Sequence, residues 1–478
     1  MLITGLIVGG LLGFAMQRGR FCVTGFLRDI FTLRSWRGFT ALLVVIAVHA
    51  VGLAALTSTG VITPEFKDFA PAAVIVGGFL FGLGIVLAGG CASGTWYRAG
   101  EGLVGSWIAL VMYAVSSAAM KGGALGGLND WLRGFTVNAT TAPESLGISS
   151  WWFVIPLVLV TAVLVRYFLA KERATPAMAT LPPRKTGLAH LLTEKPWHVF
   201  GTALVVGLLG VVAWPLSDAT GRNDGLGITT PSSNLVKGIV NGGADNIDWG
   251  VLLVLGILVG SFFAAKASGE FRVRVPDARQ ASRSVVGGLL MGVGAAWAGG
   301  CTVGNGMVQT SLFSYQGWVA LLFIALGVGA AAKLWLKPDQ PVNSQDVEVA
   351  DGTDGTDGTP APSQDAAPTA DLGGFASAVA VLDRPLVAVG ATAKKDGLTD
   401  LGDGRWGMDT LGAVCPFPLI EAKNAIGKID VGDELVIDFD CTQATDAIPR
   451  WAATDGHEVT QFEARGDAGW VIAVKRGH

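Results

Sequence analysis

The chain has 478 residues, of which 51% are hydrophobic and 15% charged, with a mean hydropathy of +0.50 and a net charge of −4. Soluble proteins usually carry about 25% charged residues, so this balance points away from a large aqueous fold and toward a lipid solvent. Five cysteines without a Cys-x-x-Cys pair argue against a disulfide framework and a zinc ribbon, and neither cofactor, bound metal nor nucleic-acid partner is expected.

The N-terminus is apolar but lacks a basic leader region, so it reads as a retained membrane segment. About nine apolar segments of membrane length follow one another, near residues 2–16, 39–57, 70–88, 102–120, 150–170, 197–214, 249–267, 282–298 and 317–336. Several are short enough to be half-helices. Loops after odd-numbered segments hold about 19 of the 24 Lys and Arg up to Lys337. The positive-inside rule then puts the N-terminus outside and the C-terminal part in the cytoplasm. The even-loop cations Lys67, Lys121 and Arg133 read as surface solubility, with attraction of anions as the alternative. His49, the one histidine inside a span, reads as a packing residue.

The third and eighth segments repeat one another. Val76-Gly77-Gly78-Phe79-Leu80-Phe81-Gly82-Leu83-Gly84 leads to Ala88-Gly89-Gly90-Cys91, and Val286-Gly287-Gly288-Leu289-Leu290-Met291-Gly292-Val293-Gly294 leads to Ala298-Gly299-Gly300-Cys301. Ten of the sixteen paired positions are identical. Five segments apart means opposite directions through the bilayer, the pattern of an inverted repeat. Gly-Gly-Cys at a segment end predicts a broken helix near the midplane, where glycine permits the turn and backbone N–H groups become available. Arg18-Gly19-Arg20-Phe21-Cys22 places a third cysteine after a short apolar segment, and its counterpart near Gly269-Glu270-Phe271-Arg272 has none.

Cys22, Cys91 and Cys301 are the only cysteines of the membrane part. Each alone reads equally well as a small apolar filler. Together they suit a path for an anion: a thiol in a dry, apolar setting stays neutral, and S–H is a weak donor that releases what it binds. Asn305 and the N–H groups beside Gly90 and Gly300 are further candidates. A disulfide or a copper(I) site is the rival use of paired thiols, but a Met- or His-rich route is lacking.

Composition changes near Pro338. Three Asp-Gly-Thr repeats from Asp351 to Thr359 and then Pro360-Ala361-Pro362 read as a flexible linker over 338–403, between a membrane domain at 1–337 and a small α/β domain at 404–478. The stretch 375–400 has no firm reading. Leu411-Gly412-Ala413-Val414-Cys415-Pro416-Phe417-Pro418 then precedes an amphipathic run from Leu419 to Lys428. Pro416 suits the first helical position and places Cys415 at the N-cap, where the helix dipole stabilises a thiolate. A strand at Glu434–Phe439, a helix near Ala444–Thr454 and a final strand at Trp470–Lys475 complete the pattern.

The doubled Ala-Gly-Gly-Cys motif, together with Arg18-Gly19-Arg20-Phe21-Cys22 and Cys301-Thr302-Val303-Gly304-Asn305-Gly306, resembles the YeeE/YedE membrane family over roughly residues 1–337. That resemblance implies a polytopic all-α protein of the bacterial inner membrane that takes up thiosulfate, with relatives linked to other sulfur or selenium species. It maps the family's functional cysteines onto Cys22, Cys91 and Cys301, as a relay of transient S–H···S contacts. An ATP-binding motif is not found. The C-terminal part resembles TusA-like (YeeD-type) sulfur carriers of βαβαββ order over roughly 404–477. The Cys-Pro-x-Pro motif of Cys415, Pro416 and Pro418 then implies that Cys415 carries a persulfide or attacks the sulfane sulfur of thiosulfate. This chain reads Asp440-Cys441-Thr442 where that family often has Asp-Asp-Pro, which leaves Cys441 as a strand-end residue or a second, resolving thiol. The expected partners are thiosulfate, the bilayer, the chain's own C-terminal domain, and cytoplasmic sulfur acceptors or reductants. The alternatives are a transporter of sulfite or a selenium compound, and a membrane-anchored sulfurtransferase.

Overall fold

The computed structural model describes the chain apart from residues 67, 175–177, 182–184, 244–245, 277, 336–393, 396–397, 414–416 and 467–468. The membrane part is helical: α1 (Ile3–Arg18), α2 (Val23–Thr32), α3 (Arg37–Ser58), α4 (Pro71–Leu87), α5 (Ala92–Gly100), α6 (Val104–Met120), α7 (Gly126–Arg133), α8 (Ala142–Leu146), α9 (Trp151–Ala174), α10 (Gly187–Ala189), α11 (Val199–Asp218), α12 (Thr229–Asn241), α13 (Trp249–Ser268), α14 (Ala278–Ala298) and α15 (Tyr315–Trp335). A π-helical turn, Gly304–Gln309, follows α14. Each of the nine apolar segments is a helix. Among the described residues, seven helical runs are long and apolar enough to cross a bilayer. The expected count of about nine is reached only with α6, which is 17 residues long, and α14, whose first turns carry Arg279 and Arg283.

Lipid tails give helices no hydrophobic reason to associate, so close backbone approach has to supply the attraction. Glycine provides it. On α1, a Cβ added at Gly5, Gly9 or Gly13 would fall 2.4, 2.0 or 2.2 Å from the carbonyl oxygens of Trp249, Leu253 and Ile257 on α13. In the same way α4 meets α14, with Gly77 against Gly294 and Gly84 against Gly287. The sequence repeat equates Gly77 with Gly287 and Gly84 with Gly294. The contact is therefore self-complementary, as a two-fold axis between inverted halves requires. His49 packs as expected, its ring filling the space beside Gly210.

The C-terminal part is the predicted βαβαββ unit with an addition. β3 (Arg405–Thr410), α15's successor α16 (Phe417–Ile426), β4 (Glu434–Phe439), α17 (Ala444–Thr454), β5 (Glu458–Arg465) and β6 (Gly469–Lys475) follow in order. Two further strands, β1 (Lys394–Lys395) and β2 (Leu398–Gly402), precede them, and the sheet runs β1-β2-β3-β4-β6-β5. The end of the expected linker is therefore sheet. Gly402, Asp403 and Gly404 all take positive φ, and this tight turn lets β2 fold back along the free edge of β3. β3 and β4 are parallel, while β4–β6 and β5–β6 are antiparallel. Leu419, Ile437, Phe439, Ile448 and Ile472 belong to a buried core between the helices and one face of the sheet. Each such side chain contributes about 1.5–3 kcal/mol when fully buried.

The carrier-like unit rests on the face of the membrane part that holds the basic loops. Arg450 pairs with Glu172 at 3.3 Å, Glu172 also binds Arg37, Arg274 lies 3.9 Å from Asp440, and Arg20 donates to Thr445. Leu33 and Leu181 pack on its core.

Adding a methyl at the α1–α13 crossing forces the helices apart. Gly9→Ala is expected to lower the stability of the detergent-solubilised full chain by about 1–3 kcal/mol. Gly201→Ala, on α11 where no atom lies within 4 Å of an added Cβ, is expected to leave it unchanged. Thermal unfolding of both variants checks this; equal melting temperatures would contradict the packing argument.

Candidate functional site

Three broken helices build the site. Arg20 (φ 50°), Gly89 (φ 71°) and Gly299 (φ 78°) each stand two residues before a cysteine, at Cys22, Cys91 and Cys301. At each point a helix stops, the chain turns, and a short helical element begins. Cys22 and Cys91 are the extended N-cap residues of α2 and α5, and Cys301 leads to the π-helical turn. A side chain at a left-handed position costs roughly 1–2 kcal/mol, which glycine avoids at Gly89 and Gly299. α13 also ends at a glycine of positive φ, Gly269 (75°), but it runs parallel to α1, with Gly5, Gly9 and Gly13 meeting Trp249, Leu253 and Ile257 in turn, so the expected counterpart near Gly269-Glu270-Phe271-Arg272 is not the inverted mate of the Cys22 break.

All three thiols are free and buried. Cys22 and Cys91 come together, their thiols close enough to interact electrostatically. Both face Gly94, where an added Cβ would lie 3.3 Å from the Cys91 sulfur and 3.9 Å from that of Cys22. The Cys91 sulfur is also 3.5 Å from the Ser93 hydroxyl. Cys301 is on the other repeat. Between the two sits Tyr113, fully buried, in electrostatic range of both Cys301 and Cys91 and donating at 2.8 Å to the Thr229 hydroxyl.

The surroundings are less apolar than expected. Arg98 and Arg28 both act electrostatically on Cys22. Arg98 Nη1 donates to the Gly89 carbonyl oxygen and lies 3.5 Å from where a Cβ on Gly90 would be, so Gly90 leaves room for the guanidinium. The symmetry-related break is held by Arg133, whose Nη1 donates to Trp297 O at 2.8 Å. Arg133 thus does more than solubilise a surface. Asn305 is fully buried, its amide nitrogen donating to Ala298 O (2.8 Å) and Gly300 O (3.1 Å) while its oxygen accepts from Gln316 (3.0 Å). With these atoms engaged, Asn305 closes the break and shapes the backbone around Gly300; it is a positioning residue here. Lys121 donates to Thr230 at 2.8 Å.

Arg98 continues the site toward the C-terminal unit. A cavity of about 70 Å³ lies between the two parts, with Gly89, Arg98, Glu101 and Arg274 on the membrane side and Gly412 and Cys441 on the other. Behind it, Arg18 and Arg20 bind Glu270 at 3.2 and 3.1 Å. Burial works against the Glu270 carboxylate, but these two arginines and Gln17 hold it below the usual range. Cys415 and Pro416 lie outside the described residues, as does Lys67; Pro418 is buried in α16.

The Sulphur transport family matches residues 18–330, and the Sulfurtransferase TusA family matches residues 408–476. The thiosulfate transporter TsuA of Escherichia coli is 52% identical over 338 residues, covering 70% of this chain and 94% of that protein. The thiosulfate transporter TsuA of Spirochaeta thermophila is 32% identical over 343 residues, covering 68% and 97%. TsuB of Escherichia coli is 58% identical over 69 residues, or 14% of this chain and 92% of its own length. The chain belongs to the YeeE/YedE sulphur-transport family.

Within this YeeE/YedE protein, sequence reasoning found the thiols and missed Arg98, Tyr113 and Thr229. Arg98 had a signal: it is the single cation between Cys91 and the next apolar segment. Tyr113 and Thr229 had none, since they meet only through the fold.

Removing the Asn305 amide leaves buried carbonyls at the α14 break without their donor. An unsatisfied buried group costs about 1–3 kcal/mol. Asn305→Ala is expected to lower the melting temperature of the solubilised full chain and to speed alkylation of Cys301 by a membrane-permeant maleimide. An unchanged alkylation rate would remove Asn305 from its positioning role.

Proposed function

We propose that this protein takes up thiosulfate across the bacterial inner membrane and hands it to its own C-terminal domain, with the N-terminus outside and the carrier domain in the cytoplasm. The ion passes Cys301, then Cys91 and Cys22, and leaves by Arg98 into the cavity under the carrier domain. One observation carries the reading: Arg98 touches the Cys91 break and also lines the cavity, whose other wall is formed by Gly412, Ala413 and Cys441. Cys415 lies close in sequence to Ala413. The names of the two TsuA relatives support thiosulfate as the substrate.

The chemistry divides by environment. Buried S–H groups donate weakly and let a dianion move on, while guanidiniums near the exit draw it inward. Cys441 is disulfide-bonded in this structure; once a dithiol reductant has freed the thiols of the carrier domain, the Cys415 thiolate attacks the outer sulfur of thiosulfate. A new S–S bond forms, the S–S bond of thiosulfate breaks, and sulfite leaves with the bonding electron pair, so Cys415 becomes a persulfide. A dithiol reductant or an acceptor protein then takes the sulfur. Consumption at the exit sustains the inward gradient.

The test is uptake of radiolabelled thiosulfate by membrane vesicles holding the full chain. Cys91→Ala is expected to reduce uptake to background; uptake at the parental rate would sink the relay. Cys415→Ser is expected to keep initial uptake and to lose sulfite release. Sulfite formation by that variant would remove Cys415 from the chemistry.

A further inference from the structure

The cavity between the membrane part and the carrier domain is a built chamber as well as a gap. Its walls include Arg98, Arg274, Ser106 and Ser284, with the carboxylates of Glu101 and Asp440. Ser284 is completely buried, and its hydroxyl has no hydrogen-bond partner among the described residues. Arg274 Nε likewise has none, its nearest carboxylate oxygen being that of Asp440 at 3.9 Å. At about 70 Å³ the space is several times the roughly 10–15 Å³ that one water needs. Unused donors around a space of this size fit a small tetrahedral oxyanion.

Glu101 is the odd member of this wall. It is 3% exposed and is held by backbone pairing, its carbonyl oxygen accepting from Arg272 N at 3.2 Å while Val104 N donates to Arg274 O at 3.0 Å. The charged and titratable groups around it come from every neighbouring element: Tyr97 and Arg98 of α5, Arg18 at the end of α1 and Arg20 after it, Glu270, Arg272 and Arg274 after α13, and Asp440 of the carrier domain. The cations are largely committed elsewhere. Arg98 is bound to Gly89 O, and Arg18 and Arg20 to Glu270.

We propose that this chamber is a holding site for the transported divalent sulfur oxyanion, and that the charge on Glu101 decides whether the ion stays. The proposal rests on the hand-off reading and adds its control step. With Glu101 neutral, two guanidiniums in the wall face one carboxylate, Asp440, and the chamber is net positive. With Glu101 ionised the wall charges cancel and a dianion is no longer favoured. By linkage, an anion in the chamber raises the affinity of Glu101 for a proton to the same degree.

The sign follows from the surroundings. Burial foremost, and then Glu270, push Glu101 up to about 7, against Arg274, Arg98 and Arg20. The holding state is therefore populated below about pH 7 and lost above it. One unit below that value about nine-tenths of Glu101 is protonated, and one unit above about one-tenth.

The experiment measures initial uptake of radiolabelled thiosulfate by right-side-out vesicles carrying the full chain, with the same pH on both sides, one unit below and one unit above that value. The parent chain is expected to be roughly tenfold faster at the lower pH. Glu101→Gln is expected to show the same, fast rate at both, and Glu101→Asp to keep a pH dependence. The same pH ratio in Glu101→Gln as in the parent would overturn the proposal, as would a parent rate that ignores pH. A ratio retained in Cys415→Ser assigns the chamber to incoming thiosulfate, and one lost there assigns it to sulfite awaiting exit. Absence of uptake in the parent chain would instead strike the hand-off reading itself.

Discussion

A helix that stops inside lipid leaves backbone carbonyls and N–H groups that no solvent satisfies, and every break in this membrane domain is organised around that demand. At the end of α14 the Asn305 amide binds two carbonyls and Arg133 a third. At the end of α4 the Arg98 guanidinium binds the Gly89 carbonyl. The breaks place Cys91 and Cys301 at the turns, and the groups that stabilise the turns are charged or polar. A strictly apolar thiol path was therefore never compatible with this backbone. The guanidinium that closes the Gly89 turn brings positive charge beside the Cys22–Cys91 pair, on the route proposed for the anion.

That logic explains what was legible in the sequence. The long helices have a continuous apolar run, because lipid and neighbouring helices surround them, and the repeat is visible because Gly77, Gly84, Gly287 and Gly294 cannot vary at a self-complementary crossing. The short helices were illegible. Every residue of α5, from Ala92 to Gly100, is buried, yet it contains Ser93, Thr95 and Arg98 and has no apolar stripe. It is packed inside other helices, so its pattern reports neither lipid nor water. The pairing of Tyr113 with Thr229, and the meeting of Glu101 with Arg272 and Arg274, join segments far apart in the chain, and nothing local marks them.

In the carrier domain the same contrast holds at smaller scale. The apolar runs Leu435–Ile437 of β4 and Trp470–Val474 of β6 announce central strands buried on both faces. β2 was hidden because Gly402-Asp403-Gly404 reads as flexible chain in composition and acts as a tight turn in the fold. Turn chemistry and linker chemistry use the same residues, and only the free edge of β3 decides between them.

The contact between the two parts has two layers of different strength. Its rim is the cluster of Arg450, Glu172, Arg37 and His198, whose side chains are partly exposed. Such pairs are worth about 0.2–1 kcal/mol each and weaken with salt. Beneath it, Arg274 and Asp440 are nearly buried over the cavity at 3.9 Å, too far apart for a direct hydrogen bond. Docking of this kind is specific in position but modest in energy. Covalent connection to the membrane part compensates, because it keeps the carrier domain at high effective concentration whatever the strength of the rim. A weak, well-aimed contact fits the proposed hand-off, in which the carrier domain covers the exit while it is loaded and uncovers its sulfur for the next acceptor. On that reading a stronger interface would hold the domain in place and close the route.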